Sequence, residues 1–305
     1  MKQVDILIVG GGPAGLTAGI YAARAGMTSV VLESGFAGGQ ASTTDRIENY
    51  PGFPEGVGGM ELMMAFEQQY SRYDGSEVCY DGVQSLNLAE KTATTLSGET
   101  ISAKAMILAM GAEPRKLGVP GEAELTGNGV SYCATCDGMF FRGKTVAIVG
   151  GGDTAVEDAV YMKQLATVKL IHRRDELRAA SRAGDALMTD PEVEKFLSHT
   201  VEKIEKRDGR LLLTMHDRKA DGDRQLEVDG LFVAVGTQPR TELIRGQLAL
   251  DGAGYVLAGE DTRTEIPGVF AAGDLRARPL KQVITAAADG AVAASMAIRH
   301  VLERQ

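Results

Sequence analysis

The stretch VDILIVGGGPAGLTAGIYAARAGMTSVVLES, residues 4–34, reads as one structural unit. The apolar run VDILIV ends in a cluster of glycines, a helix rich in small residues follows, and a second apolar run, SVVL, comes next. Strand, glycine turn, helix and strand make a βαβ unit. The same order returns about 140 residues later in KTVAIVGGGDTAVEDAVYMKQLATVKLIHRR, residues 144–174. The repeat predicts an α/β fold with two Rossmann-like dinucleotide-binding domains, hence two separate dinucleotide sites.

In the first turn, Gly10, Gly12 and Gly15 stand in the spacing G-x-G-x-x-G, with Pro13 and Ala14 between the last two. Bare glycines let the backbone turn tightly and approach a diphosphate, and the helix that follows offers free N–H groups. Glu33 lies 18 residues past Gly15, at the end of the next strand. A carboxylate there accepts hydrogen bonds from ribose hydroxyls.

The second turn reads Gly150-x-Gly152-x-x-Ala155, with Asp153 and Thr154 inside it. Its next strand ends without an acid and runs into HRRDELR: His172, Arg173, Arg174 and, further on, Arg178. Guanidinium forks pair bidentately with phosphate oxygens, so the cluster reads as a clamp on a 2′-phosphate and implies NADPH rather than NADH. The competing reading is a solvated, charged start of a helix. His172 alone reads as a packing residue; its place beside two arginines is what points it to the adenosine phosphate.

Two Gly/Pro-punctuated stretches, MGAEPRKLGVPGE (110–122) and VGTQPRTEL (235–243), each follow an apolar strand-like run. They bracket a middle domain, 114–240, inserted into a first domain made of 1–113 and 241–305. The stretches RLLLTMHD and GLFVAVG read as a β-meander closing the middle domain. Near the end, GVFAAGD (268–274) brings Gly273 and Asp274 to a strand end that runs into a small-residue helix.

Bulk properties narrow the function classes. The 305 residues include 44% hydrophobic positions, enough for two cores, and carry a net charge of −9. That charge disfavours a phosphate-backbone partner, and the absence of Trp argues against a base-stacking platform, so no nucleic acid is expected. No apolar window approaches a membrane span, and the opening apolar run is too short for a secretory signal. The expectation is a cytoplasmic enzyme with no membrane association.

The stretch SYCATCDG, residues 131–138, places Cys133 and Cys136 three apart. A zinc site needs four ligands, usually in paired clusters. Beyond this pair there are Cys79 and the histidines 172, 199, 216 and 300, none spaced as a second cluster, so no metal is expected. A structural disulfide here closes a tiny loop and constrains the unfolded chain little. What remains is a redox dithiol. Asp137, next to it, reads equally as a proton shuttle for thiol–disulfide exchange or as a turn cap. Cys79, in a strand-like segment, receives no role.

Taken together, the two fingerprints, CATCDG before the second, HRRDELRA after it and the terminal GVFAAGD resemble the low-molecular-weight thioredoxin reductases, within the pyridine nucleotide-disulfide oxidoreductases. GGQASTTDRIENYPGFP (38–54) and TAAADGAVAA (285–294) support the resemblance, which covers essentially the whole chain in the right order. It implies FAD at the first site, held by the first turn, Glu33, Gly39, Gln40, Asn49, Gly273, Asp274 and Gln282, with Lys281 where many members have Arg. It implies NADPH at the second, on Gly152, Asp153, Thr154 and Ala155, with Glu157 near the nicotinamide. It further implies a cytosolic homodimer in which Cys136 faces the flavin and Cys133 attacks the disulfide of thioredoxin. The two domains would rotate about hinges near Ala112–Lys116 and Gly236–Arg240. Departures from the common pattern are Met110 in AMG, Lys281 in KQ and Arg240 in PRT. Two alternatives stay open: the same build serving another small disulfide protein, glutaredoxin-like or peroxidase-linked, or a flavin redox sensor without turnover.

Overall fold

The computed structural model describes residues 1–44, 46–179 and 182–303. Within TDR of the stretch 38–54, Asp45 lies outside the described residues. The chain forms two compact units, Met1–Glu113 with Gln238–Gln305, and Pro114–Thr237.

In the first unit the opening stretch becomes β1 (Lys2–Val9), α1 (Pro13–Arg24) and β2 (Ser29–Leu32). Its sheet adds β3 (Ser76–Cys79), β4 (Val83–Asn87), β5 (Thr92–Thr95) and β6 (Thr100–Leu108) in the order β3-β2-β1-β6-β5-β4. The late strand Val269–Ala271, β17 in chain order, runs parallel to β6. The central strands are parallel, with Ile8 opposite both Val31 and Ile107. Parallel strands are covered on both faces, which is why they read as unbroken apolar runs. One face is covered by α1 and by α7 (Val283–Leu302), whose alanines 293, 294 and 297 join Ile6, Ile8 and Ala18 in one cluster. Helix α2 (Gly59–Ser71) sends the fully buried Tyr70 into the same cluster.

The two crossings between the units, β7 (Ala112–Pro114) and β16 (Thr237–Pro239), pair as a two-stranded sheet. The departing Arg240 lies there: its N–H donates to the Gly111 carbonyl at 3.0 Å and its guanidinium meets Glu113 at 3.4 Å.

The second unit has a five-stranded parallel sheet of β8 (Val130–Ser131), β9 (Thr145–Val149), β10 (Thr167–His172), β11 (Glu194–Leu197) and β15 (Gly230–Val233), in the order β11-β10-β9-β15-β8. Its helices are α3 (Glu122–Leu125), α4 (Ala134–Asp137), α5 (Asp153–Lys163) and α6 (Arg182–Thr189). A separate antiparallel sheet runs β12 (His199–Arg207), β13 (Arg210–Asp217), β14 (Gly222–Val228).

This corrects one part of the sequence reading. RLLLTMHD is the central strand of the antiparallel sheet, but GLFV is not in the meander. It pairs in parallel with β9, and all four of its residues are buried. Phe232 packs edge-on against Phe141 at a centroid distance of 5.3 Å in one core cluster, while Leu231 and Val233 lie in another, so both faces of the strand are occupied.

Candidate redox-active site

The first glycine turn is built by steric necessity. Gly10 has φ +108°, which an L side chain rarely adopts, and a Cβ there would collide with the Ala109 carbonyl. A Cβ on Gly15 would collide with the Gly10 carbonyl. Gly12, in contrast, opens onto free space, with nothing within 4 Å of a Cβ, and its neighbour across the gap is Gly39. Pro13 occupies the first position of α1 and Ala14 is buried behind it. Both Glu33 oxygens are engaged by backbone: Oε2 accepts the Gly11 N–H at 2.8 Å, and Oε1 accepts those of Ser34 and Gly35 at 2.8 and 3.1 Å.

The remaining residues assigned to this site gather in the same unit. Gln40 donates to the Ala112 carbonyl, and the Asn49 amide donates to Gln282 Oε1 at 2.9 Å. Gln282 also caps α7 in a reciprocal bond with Thr285. Lys281 lies over the Tyr255 ring at 4.0 Å and bonds its hydroxyl. Gly273 has φ +71° and turns the chain into Asp274. Asp274 Oδ1 is buried without a hydrogen-bond partner among the described residues. Burial raises its pKa, opposed by Lys281 and Arg278. An orphaned carboxylate oxygen and an open glycine cradle fit a ligand that brings hydroxyl donors and a diphosphate.

A device absent from the sequence reading holds Asp274 in place. Asp289, on α7 and 4% exposed, accepts the Gly273 N–H at 3.0 Å, Arg276 through two bonds at 2.7 and 2.8 Å, and Arg278 at 2.8 Å. Its sequence signal was a lone acid in an alanine-rich helix.

The second turn repeats the first with a different back wall. Gly152 caps α5 with extended backbone, Asp153 and Thr154 are exposed in its first turn, and Ala155 is buried. The imidazole of His172 fills the space where a Gly151 side chain would stand. His172 is 8% exposed, its Nε2 has no partner among the described residues, and burial lowers its pKa, with Arg174 and Arg173 acting the same way. Arg173, Arg174 and Arg178 are exposed, and the Arg178 N–H donates to the Gly151 carbonyl at 2.6 Å. Three guanidinium groups beside an open turn suit a phosphate monoester. Glu157 is exposed on α5, and next to it Asp158, half-buried, is pushed up to about 6 by burial and by Glu157.

Cys133 and Cys136 form a disulfide with Cα atoms 5.3 Å apart. Cys133 caps the short α4. Ala134 is buried in one cluster with Ala155, Val156, Ala159 and Met162, so α4 packs on α5. The redox pair and the second turn thus stand on two helices in contact. Asp137 Oδ2 accepts the Ser131 hydroxyl at 2.6 Å, and Ser131 Oγ accepts the Cys133 N–H at 3.1 Å. Just upstream, the buried Glu122 accepts the N–H groups of Leu117 and Gly118 at 2.8 and 2.7 Å and the Tyr132 hydroxyl at 2.9 Å. Neither Ser131 nor Glu122 was singled out from sequence. Cys79 sits at the end of β3, and burial and nearby acids, Glu77 first, raise its pKa. No three His, Cys, Asp or Glu side chains are grouped to hold a metal ion among the described residues.

Two dinucleotide turns of Rossmann type and a dithiol pair packed on the second define a disulfide oxidoreductase that works with bound dinucleotides. The chain belongs to the pyridine nucleotide-disulphide oxidoreductase family, whose pattern matches residues 4–290. Members of this family use a flavin and a pyridine nucleotide. Among its relatives are thioredoxin reductases of Streptomyces clavuligerus, 43% identical over 97% of this chain and 94% of the other, and of Mycolicibacterium smegmatis, 45% identical over 98% and 97%. The crystal structure of a Streptococcus pyogenes thioredoxin reductase, 38% identical, matches with a TM-score of 0.90 over 99% of each chain.

Proposed function

We propose that the chain is an NADPH-dependent thioredoxin reductase that passes electrons through FAD and the Cys133–Cys136 pair to the disulfide of thioredoxin. The observation that carries this reading is the Cys133–Cys136 disulfide on α4, packed against the helix that opens at the second glycine turn. The names of the relatives agree with it.

Gly10, Gly12, Pro13, Ala14 and Gly15 would cradle the FAD diphosphate, and Glu33 the ribose. Asp274, with its orphaned oxygen, would take a hydroxyl of the flavin's linker. Gly39, Gln40, Asn49, Gly273, Lys281 and Gln282 complete that site. Gly152, Asp153, Thr154 and Ala155 would receive the NADPH diphosphate, Arg173, Arg174 and Arg178 its 2′-phosphate, and Glu157 would stand by the nicotinamide. His172 braces the turn from behind, which leaves the exposed arginines to meet the phosphate. Bound FAD supplies the two-electron chemistry between the nicotinamide and the disulfide.

The protein's own sulfur chemistry then follows. The Cys133 thiolate attacks the partner's disulfide and forms a mixed disulfide, releasing one thiolate that takes up a proton. The Cys136 thiolate attacks Cys133 Sγ, reforms the intramolecular disulfide and releases the second partner thiolate. Asp137 would hand protons to the pair. The reading includes a cytoplasmic homodimer, on the strength of the resemblance alone; among the described residues no helix is long and apolar enough to cross a membrane.

The test is steady-state NADPH oxidation with a panel of thioredoxins and glutaredoxins. Oxidation that depends on thioredoxin supports the reading; oxidation driven by a glutaredoxin and not by any thioredoxin contradicts it.

A further inference from the structure

Ser131 closes a ring of hydrogen bonds with the Cys133 backbone and Asp137. It lies on β8, opposite Phe232 of β15, and is 7% exposed, so sheet pairing and packing hold its hydroxyl in one place. Ser131 Oγ accepts the Cys133 N–H at 3.1 Å, the Cys133 carbonyl accepts the Asp137 N–H at 3.1 Å, and the Asp137 carboxylate lies 2.6 Å from Ser131 Oγ. A hydroxyl has one proton to give. The Asp137 oxygen at 2.6 Å is nearer than the Cys133 carbonyl at 3.4 Å, so the hydroxyl proton goes to Asp137. A turn cap for the Cys133 N–H would need only the first of these contacts. The short bond to Asp137 needs another reason.

We propose that Ser131 is a positioning residue that holds the Asp137 carboxyl group against the dithiol, so that Asp137 passes a proton between water and the Cys133–Cys136 pair. The proposal rests on the reductase reading. When the disulfide takes up two electrons, it becomes two thiolates. The Asp137 carboxylic acid gives its proton to one thiolate, leaving a thiol and a carboxylate, and the carboxylate recovers a proton from water. In the reverse direction, as the pair is oxidised by a partner, the carboxylate takes the thiol proton and the partner's thiolate is protonated from water. Ser131 itself exchanges nothing; its bond sets where the Asp137 oxygens stand. On α5, the helix packed against this turn, the charged and titratable groups are Asp153, Glu157, Asp158, Tyr161 and Lys163, with Arg142 following the turn itself. Asp158 is pushed up to about 6, so its titration must be separated from that of Asp137.

The experiment is a double-mutant cycle on the FAD-loaded enzyme, Ser131→Ala, Asp137→Asn and both together, repeated with Asp158→Asn. It reads thioredoxin-dependent turnover and, on the reduced protein, the pH profile of iodoacetamide alkylation of the pair. Asp137→Asn is expected to lower turnover by about 10²-fold, the low end for a general acid or base. Ser131→Ala is expected to lower it by up to about tenfold, the loss of one hydrogen bond, and the double variant to match Asp137→Asn alone. The alkylation profile of Ser131→Ala should shift toward that of Asp137→Asn, and the shift should survive Asp158→Asn. Losses that multiply in the double variant, or a Ser131→Ala profile and turnover equal to wild type, overturn the positioning role. If Asp137→Asn is silent while Cys133→Ser abolishes thioredoxin reduction, the proton role falls and the reductase reading stands. If Cys133→Ser leaves thioredoxin reduction intact, the reductase reading itself falls.

Discussion

The ring of His172 stands directly against Gly151, where a Cβ would overlap its Cε1, Nδ1 and Nε2. This contact joins the two ends of the second βαβ unit: Gly151 belongs to the turn after β9, and His172 is the last residue of β10. The backbone that follows His172 immediately delivers Arg173 and Arg174 to solvent. Gly151→Ala should therefore push the ring and the turn apart. An overpacked core site costs about 1–3 kcal/mol, and here the displaced atoms are those that would meet the nucleotide. The expected outcome is a weakened Kd for NADPH with flavin content unchanged, read by titration of the flavin absorbance and by flavin-to-protein ratio.

The arginines make a sharper forecast. Arg173→Ala should raise the KM for NADPH by tenfold or more, since a charge-assisted bond to phosphate is worth about 1.5–3 kcal/mol, and should leave the KM for NADH nearly unmoved. Steady-state kinetics with both nucleotides decides it; equal effects on the two would remove the 2′-phosphate from the account.

Asp158 gives a prediction in pH. Burial, then Glu157, raises its folded pKa to about 6 from the ordinary carboxylate value of 3.8. A carboxyl group with a raised folded pKa binds its proton more tightly in the folded chain. Its contribution is fully present below pH 3.8 and is lost as pH rises through about 6. Asp158→Asn removes that loss. Its melting temperature should match wild type near pH 4 and exceed it above pH 6, by up to about 3 kcal/mol of stability. A difference that does not grow across that window would contradict the burial of this carboxyl group.

Asp289 should prove costly to remove. It neutralises Arg276 and Arg278 in a buried cluster and holds the Gly273 N–H. Losing one partner of a buried charge cluster costs about 3–5 kcal/mol. Asp289→Ala is expected to lower the melting temperature and to shed flavin on gel filtration, because the Gly273–Asp274 turn loses its anchor. Asp289→Ala combined with Arg276→Met and Arg278→Met should recover much of the stability and little of the flavin, which separates folding from cofactor retention.

How much of this was legible in the sequence follows from which interactions are local. The βαβ units were readable because the strand, the glycine spacing and the helix lie within about thirty residues. GLFV was misread because four buried residues in a row carry no period to distinguish an antiparallel strand from a parallel one covered on both faces. Ser131 and Asp137 were both in the quoted SYCATCDG, yet only the fold of β8 into α4 brings the hydroxyl to the carboxylate. Glu122 and Asp289 were hidden for a different reason. Their donors are backbone N–H groups and arginines set by tertiary packing, and a single buried acid leaves only a weak mark in sequence, an isolated charge among small residues in the case of Asp289.

The central claim is that electrons leave this protein through Cys133 and Cys136. The most direct measurement is anaerobic titration of the FAD-loaded Cys133→Ser variant with NADPH, followed by addition of oxidised thioredoxin. The account predicts that NADPH still bleaches the flavin absorbance and that thioredoxin then fails to restore it. Reoxidation by thioredoxin at the wild-type rate would show that electrons leave by another route and would contradict the account.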